Sequence, residues 1–199
     1  MTLNFDEDYL FSLAKASIEH GLIHGAPLIL NPRLQQENYR EPAIVGVSIF
    51  IGQSNLGCQI NSYNKKPLHK AVTQSAYDAG FKDNRFLPVN KNLLSKASIE
   101  ITFLLDQKST RSKLTLSELA KEIQKNDTVS LILGSSNAFM FSSMQKFYPD
   151  IKEYLKAIRL KAKIPESVSW ESITALLTKT EVLEAKPYSE IKCLNTNLL

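Results

Sequence analysis

The residues of this 199-residue chain that could carry chemistry are few. Cys58 lies in the run Asn55-Leu56-Gly57-Cys58-Gln59-Ile60. A cysteine nucleophile needs its thiolate stabilised by a nearby cation, histidine or helix N-terminus. In a strand, residues two apart share a face, so Leu56, Cys58 and Ile60 are expected to point together. An apolar face of that kind raises a thiol's pKa and leaves it inert. On this pattern Cys58 reads as a buried small side chain, with nucleophilic catalysis as the alternative. Gln59 and Asn61 fall on the opposite face, where they would line a polar cleft as hydrogen-bonding groups or simply meet solvent.

A second constellation is Asp83-Asn84-Arg85-Phe86, which follows a helical stretch. Asp83 is expected to brace the turn through its own backbone. Arg85 would pair locally or present its fork to a carboxylate or phosphate, and Phe86 would plug the core. His20 and His24 are four apart on a helix, a metal-compatible spacing, but no acidic or cysteine motif completes a ligand set. No metal or cofactor is predicted.

There is no Gly-x-Ser-x-Gly elbow and no Walker or dinucleotide loop, and seven glycines leave little material for phosphate-cradling turns. Lys152, Lys156, Arg159 and Lys163 form a basic stripe about 100° round a helix from the apolar stripe Ile151, Leu155, Ile158 and Ala162. Such a stripe could grip nucleic acid, an acidic partner or a membrane surface. More often it is a solvated flank. A net charge of +4 and the lack of interleaved aromatics argue against nucleic acid.

The elements that must position these residues follow from periodicity and punctuation. Residues 6 to 24 show helical spacing, with Asp6 or Asn4 as the cap and Gly25-Ala26-Pro27 as the stop. Residues 26 to 42 form a long irregular loop that covers a site or decorates an edge. A hairpin spans 43 to 61. Pro67 opens a helix to about Lys82. Residues 97 to 106 alternate as a strand with Glu100 and Thr102 on a half-solvated face. Thr115-Leu116-Ser117-Glu118 is a capping box for a short helix. A strand over 128–133, a short β segment at Phe139 and Phe141, a helix over 149–163, a helix over 169–177 and a last strand over 178–185 complete the pattern.

Strands mixed with helices, without regular βαβ alternation, indicate an α+β fold with a largely antiparallel sheet and flanking helices. Length suits one domain, here residues 5–192 with 193–199 as a tail. Two widely separated cysteines suit a reducing compartment. Acidic residues where a leader would be basic, and no apolar run of about 18 residues, predict a cytoplasmic protein without membrane attachment.

The ordered set of Tyr9-Leu10, Gly46-Val47-Ser48-Ile49, the Cys58 run, Asp83-x-Arg85-Phe86, Ser98-Ile99-Glu100-Ile101, and Lys161-Ala162-Lys163-Ile164-Pro165 with Trp170 resembles the AMMECR domain. The likeness runs over roughly residues 9 to 186. It implies a larger and a smaller lobe, with both termini in the larger. It also implies co-workers of the Memo type and a radical S-adenosylmethionine enzyme, in systems proposed to modify proteins or small molecules.

The chain departs from the family's Leu-Arg-Gly-Cys-Ile-Gly hallmark, with Leu56 for the arginine, Gln59 for the isoleucine and Ile60 for the last glycine. A family His-Gly pair has no counterpart at Asp127-Thr128-Val129. These losses favour a binding or adaptor component that uses Cys58, Gln59, Asn61, Asp83 and Arg85. An enzyme with Cys58 as nucleophile and a nucleic-acid or acidic-partner binder through the basic stripe are the alternatives.

Overall fold

The computed structural model describes residues 6–31, 37–60 and 65–194. These form two compact units. The first comprises residues 1–103 and 182–199, the second 104–181.

The first unit opens with α1 (Glu7–His24). Asp6 caps it by accepting from the Tyr9 amide, and Gly25, at φ +66°, ends it. Its apolar side, Leu10, Phe11, Leu13, Ala14 and Ile18, is fully buried. Strands β1 (Pro42–Ile51) and β2 (Ser54–Ile60) pair antiparallel, and the short β3 (Lys66–Pro67) adds to β1. Helix α2 (Leu68–Phe81) follows. Buried serines tie the layers together. Ser17 Oγ donates to the Thr73 carbonyl and accepts from the Leu28 amide, and Ser75 Oγ donates to the Val45 carbonyl. After one turn of helix, α3 (Lys91–Leu94), comes β4 (Ser98–Arg111), which lies next to β1 and leaves β2 at the sheet edge.

The core of this unit gathers Val45, Val47 and Ile49 of β1, Ile99, Ile101 and Phe103 of β4, and the inner faces of α1 and α2. Ile191 and Leu194 belong to it, so packed chain continues two residues beyond the expected limit at 192. Within the 26–42 loop, Leu28, Leu30 and Tyr39 are buried in the same core. Residues 32–36 lie outside the described residues.

The second unit begins with α4 (Leu116–Glu122), whose capping box is formed in full by Thr115 and Glu118. Strand β5 (Asp127–Leu133) turns at Gly134 into β6 (Ser136–Met140), an edge strand. Helix α5 (Ile151–Lys161) is capped by Asp150, which accepts from the Lys152 and Glu153 amides. Strand β7 (Thr174–Pro187) pairs antiparallel with β5. Val129, Leu131, Ala175, Leu177, Tyr154, Leu155 and Ile158 make the core.

The α+β class and antiparallel sheet are as expected, with three local corrections. The helix expected over 169–177 is a single 3-10 turn, Trp170–Ser172, followed by β7. Ile173, Ala175 and Leu177 are buried with half-buried residues between them, and pairing with β5 outweighs local helical preference. Strand β4 runs five residues past Asp106. Glu100 and Thr102, expected to be half-solvated, are 6% and 1% exposed, because residues 99–103 of this strand are buried on both faces.

Candidate functional site

Cross-strand partners lie on the same side of a sheet. Ile49 faces Gly57, Val47 faces Gln59, and Ser48 faces Cys58. The first two pairs are on the α2 side, where the core lies. Cys58 therefore points to the other face, together with Ser48. By alternation along β4, Glu100 and Thr102 also lie opposite the core-facing Ile99, Ile101 and Phe103. Ser48, Cys58, Glu100 and Thr102 are all buried, so the second face of this sheet carries polar groups out of water. Thr102 Oγ1 has no hydrogen-bond partner among the described residues.

The expected apolar trio around Cys58 is broken. The register shifts between Ile49 and Phe50, where Leu56 is the extra residue of a β-bulge. Leu56 packs against the apolar core instead. Ile60 remains on the cysteine's side, opposite Gly46. Gln59 and Cys58 point to opposite faces of the strand and are not brought together. Asn61 lies outside the described residues.

Asp83 and Arg85 do converge on Cys58. The Asp83 carboxylate is buried and accepts from the Cys58 amide at 2.9 Å, from the Arg85 amide at 3.2 Å, and from Arg85 Nε at 2.8 Å and Nη2 at 2.5 Å. Arg85 Nη2 also donates to the Cys58 carbonyl at 3.2 Å. The pair thus takes both backbone groups of Cys58 on the free edge of β2, in the place of a further strand.

Burial opposes ionisation of Asp83, but the Arg85 fork and the Cys58 and Arg85 amides outweigh it and hold the carboxyl below its ordinary value. Burial likewise opposes the charge on Arg85, yet its hydrogen bonds and attraction to Asp83, with the Cys58 side chain beside it, raise its pKa. The Arg85 side chain keeps 34% of its surface exposed. Its Nη1 donates to no group among the described residues. Phe86 is half-buried under the guanidinium, and Val89 takes the core position expected of it.

The other candidates separate. His20 and His24 stack with ring centroids 4.4 Å apart, and His20 Nδ1 pairs with the Ala26 carbonyl. Among the described residues no cluster of His, Cys, Asp and Glu could hold a metal. No helix of the described residues is long and apolar enough to cross a membrane.

The basic stripe is incomplete, because Arg159 is 7% exposed. Its guanidinium turns inward to the carbonyls of Ile164, Pro165 and Val168 and lies 5.0 Å from the Trp170 ring centroid. Lys156 pairs with Glu153 at 2.7 Å. Lys152 and Lys163 are exposed. Lys161, outside the expected stripe, donates to the Phe139 carbonyl on edge strand β6.

Sequence reasoning missed Ser48, Glu100 and Thr102. Alternating polar residues read the same whether the second face of a strand meets water or protein, so no local signal marks them.

An α+β protein of two compact units, with a half-open arginine locked beside a buried cysteine, is the class that fold and site define. A family model described as AMMECR1 matches residues 11–182, and the chain belongs to the AMMECR1 family. It is similar in structure to an uncharacterized protein, PH0010, from Pyrococcus horikoshii. The two share 19% identity over 93% of this chain and 99% of that one, with a TM-score of 0.77, a likeness that shows the fold. No curated protein matches the chain.

Proposed function

We propose that this AMMECR-family chain is a binding component of a protein- or small-molecule-modification system, holding an anionic or carbonyl group of its client against Arg85. One observation carries the reading. The guanidinium is fixed by Asp83 and by the Cys58 carbonyl, yet a third of its side chain and its Nη1 remain open. A pre-oriented arginine with a free edge loses little entropy on meeting a carboxylate, phosphate or carbonyl. By the family resemblance, the co-workers are a Memo-type protein and a radical S-adenosylmethionine enzyme.

The test is calorimetric titration of the full chain with a purified Memo-type protein. Arg85→Ala should weaken the complex about tenfold or more. Arg85→Lys should fall between, since lysine keeps the charge and loses the fork. Absence of a complex, or equal affinity for Arg85→Ala at unchanged circular dichroism, rejects the reading.

A second reading, thiol chemistry at Cys58, is favoured by the bulge that removes Leu56 from its face and by the guanidinium beside it. It requires Cys58 to alkylate in the native Cys193→Ser chain, with an apparent pKa below the ordinary value of about 8.5. Protection until unfolding rejects it.

A further inference from the structure

The second unit holds a cavity of about 390 Å³ between α5 and the chain that follows it, lined by Lys156, Arg159, Leu160, Ile164, Glu166 and Trp170. Its walls are of two kinds. Leu160, Ile164 and the half-buried indole of Trp170 make an apolar side. Leu160 is 80% exposed, more than any other large apolar side chain among the described residues of this unit. Arg159 supplies the polar side, and it is more than nine-tenths buried.

A guanidinium carries five N–H donors. The carbonyls of Ile164, Pro165 and Val168 take those on Nε and Nη2. Nη1 donates to nothing among the described residues, and it is not sealed from the surface. No carboxylate pairs with Arg159 among the described residues either. Carbonyl dipoles satisfy donors without cancelling the charge, and a buried charge is ordinarily paired. Lys156, by contrast, is spent on Glu153 at 2.7 Å. Glu166 is exposed on the cavity's margin. The cavity thus joins an indole face to a fixed, buried cation with one open nitrogen and no counter-charge.

We infer that this cavity binds a small aromatic monocarboxylic acid, its ring against Trp170 and Leu160 and one carboxylate oxygen on Arg159 Nη1. The volume is that of a small-molecule pocket, and an indole beside aliphatic walls suits an aromatic body. The carboxylate supplies the charge that Arg159 lacks, through a charge-assisted hydrogen bond. Because three carbonyls already hold the guanidinium, little side-chain entropy is lost on binding. Glu166 limits the ligand to one negative charge, since a second carboxylate would meet a like charge in a partly desolvated site. The inference does not depend on Arg85 and concerns a different unit of the chain.

Trp170 is the sole tryptophan, so its fluorescence reports directly on occupancy. The full chain is titrated with hydrocinnamate, with hydrocinnamamide, and with benzylmalonate, which adds a second carboxylate to the same skeleton. Hydrocinnamate should change the emission saturably, and the amide and the dianion should each bind about tenfold more weakly. Leu160→Ala alters only an exposed wall and should weaken hydrocinnamate about fivefold. Glu166→Gln should bring benzylmalonate to within about twofold of hydrocinnamate. Lys152→Ala, which removes an exposed cation of the same helix outside the cavity, should leave the affinity unchanged. Failure of hydrocinnamate to saturate at millimolar concentration, equal affinity for the amide, or equal weakening by Lys152→Ala overturns the assignment. Tighter binding of acetyl-glycyl-phenylalanine would give the site to a peptide C-terminus and overturn it too. Loss of binding in Arg85→Ala would place the acid at the other site and overturn it as well.

Discussion

A Cβ added to Gly57 would sit 1.8 Å from the Ala79 carbonyl oxygen, so β2 lies directly on the backbone of helix α2. That contact places the next residue, Cys58, within reach of Asp83, which follows the same helix. Gly57→Ala cannot be absorbed by a side-chain movement, because the opposing atoms are backbone. It should destabilise the chain by about 3 kcal/mol, read as a lowered denaturant midpoint. Gly52→Ala meets open space and violates only a positive φ, so it should cost about 1 kcal/mol. Equal effects of the two would mean that the close approach is not real.

Asp83 sets an acid-side dependence. Its folded pKa lies below its unfolded value of about 3.9, so its stabilising contribution is complete above that value and is lost as pH falls through the folded one. Urea midpoints of the native chain should therefore drop below about pH 4. Asp83→Asn should lower stability at neutral pH by about 2 kcal/mol, since a half-buried guanidinium loses its partner. The variant should also show a shallower acid slope. An unchanged slope would remove Asp83 from the account.

The sole tryptophan reports on Arg159. Arg159→Met keeps the volume and strands three carbonyls, which should cost about 3 kcal/mol. Trp170 emission should shift to the red as the stacked cation leaves its face. Native-like emission and stability would return Arg159 to the status of a surface charge.

Thr102 makes the opposite prediction. Its hydroxyl is buried without a hydrogen bond among the described residues, so Thr102→Val removes an uncompensated polar group at nearly constant shape. It should raise stability by about 1 kcal/mol. A loss instead would reveal that the hydroxyl has a partner in solution.

These residues also show what a sequence can reveal. The start of α1, the capping box of α4 and the antiparallel hairpin were legible because their signals are local: a cap, a turn glycine, a period. The environment of Cys58 was not. One bulge between Ile49 and Phe50 removes Leu56 from the cysteine's face, and a strand pattern read residue by residue has no term for an inserted residue. The convergence of Asp83 and Arg85 on Cys58 spans some 25 residues of chain. Family likeness pointed to both segments, but only packing of β2 on α2 brings them together. The last helix failed for a related reason, since Thr174 to Thr180 is β only when β5 is there to pair with it.

The two edge strands share one further property. On β2 the outward carbonyl of Cys58 is taken by Arg85, and on β6 the carbonyl of Phe139 is taken by Lys161. A cation laid across a bare strand edge is a guard against self-association, because an incoming chain would have to displace it before forming its ladder. Variants at Arg85 or Lys161 therefore carry a solubility risk distinct from any loss of ligand. Their aggregation state, by light scattering, needs to be known before a weaker complex is attributed to a missing contact.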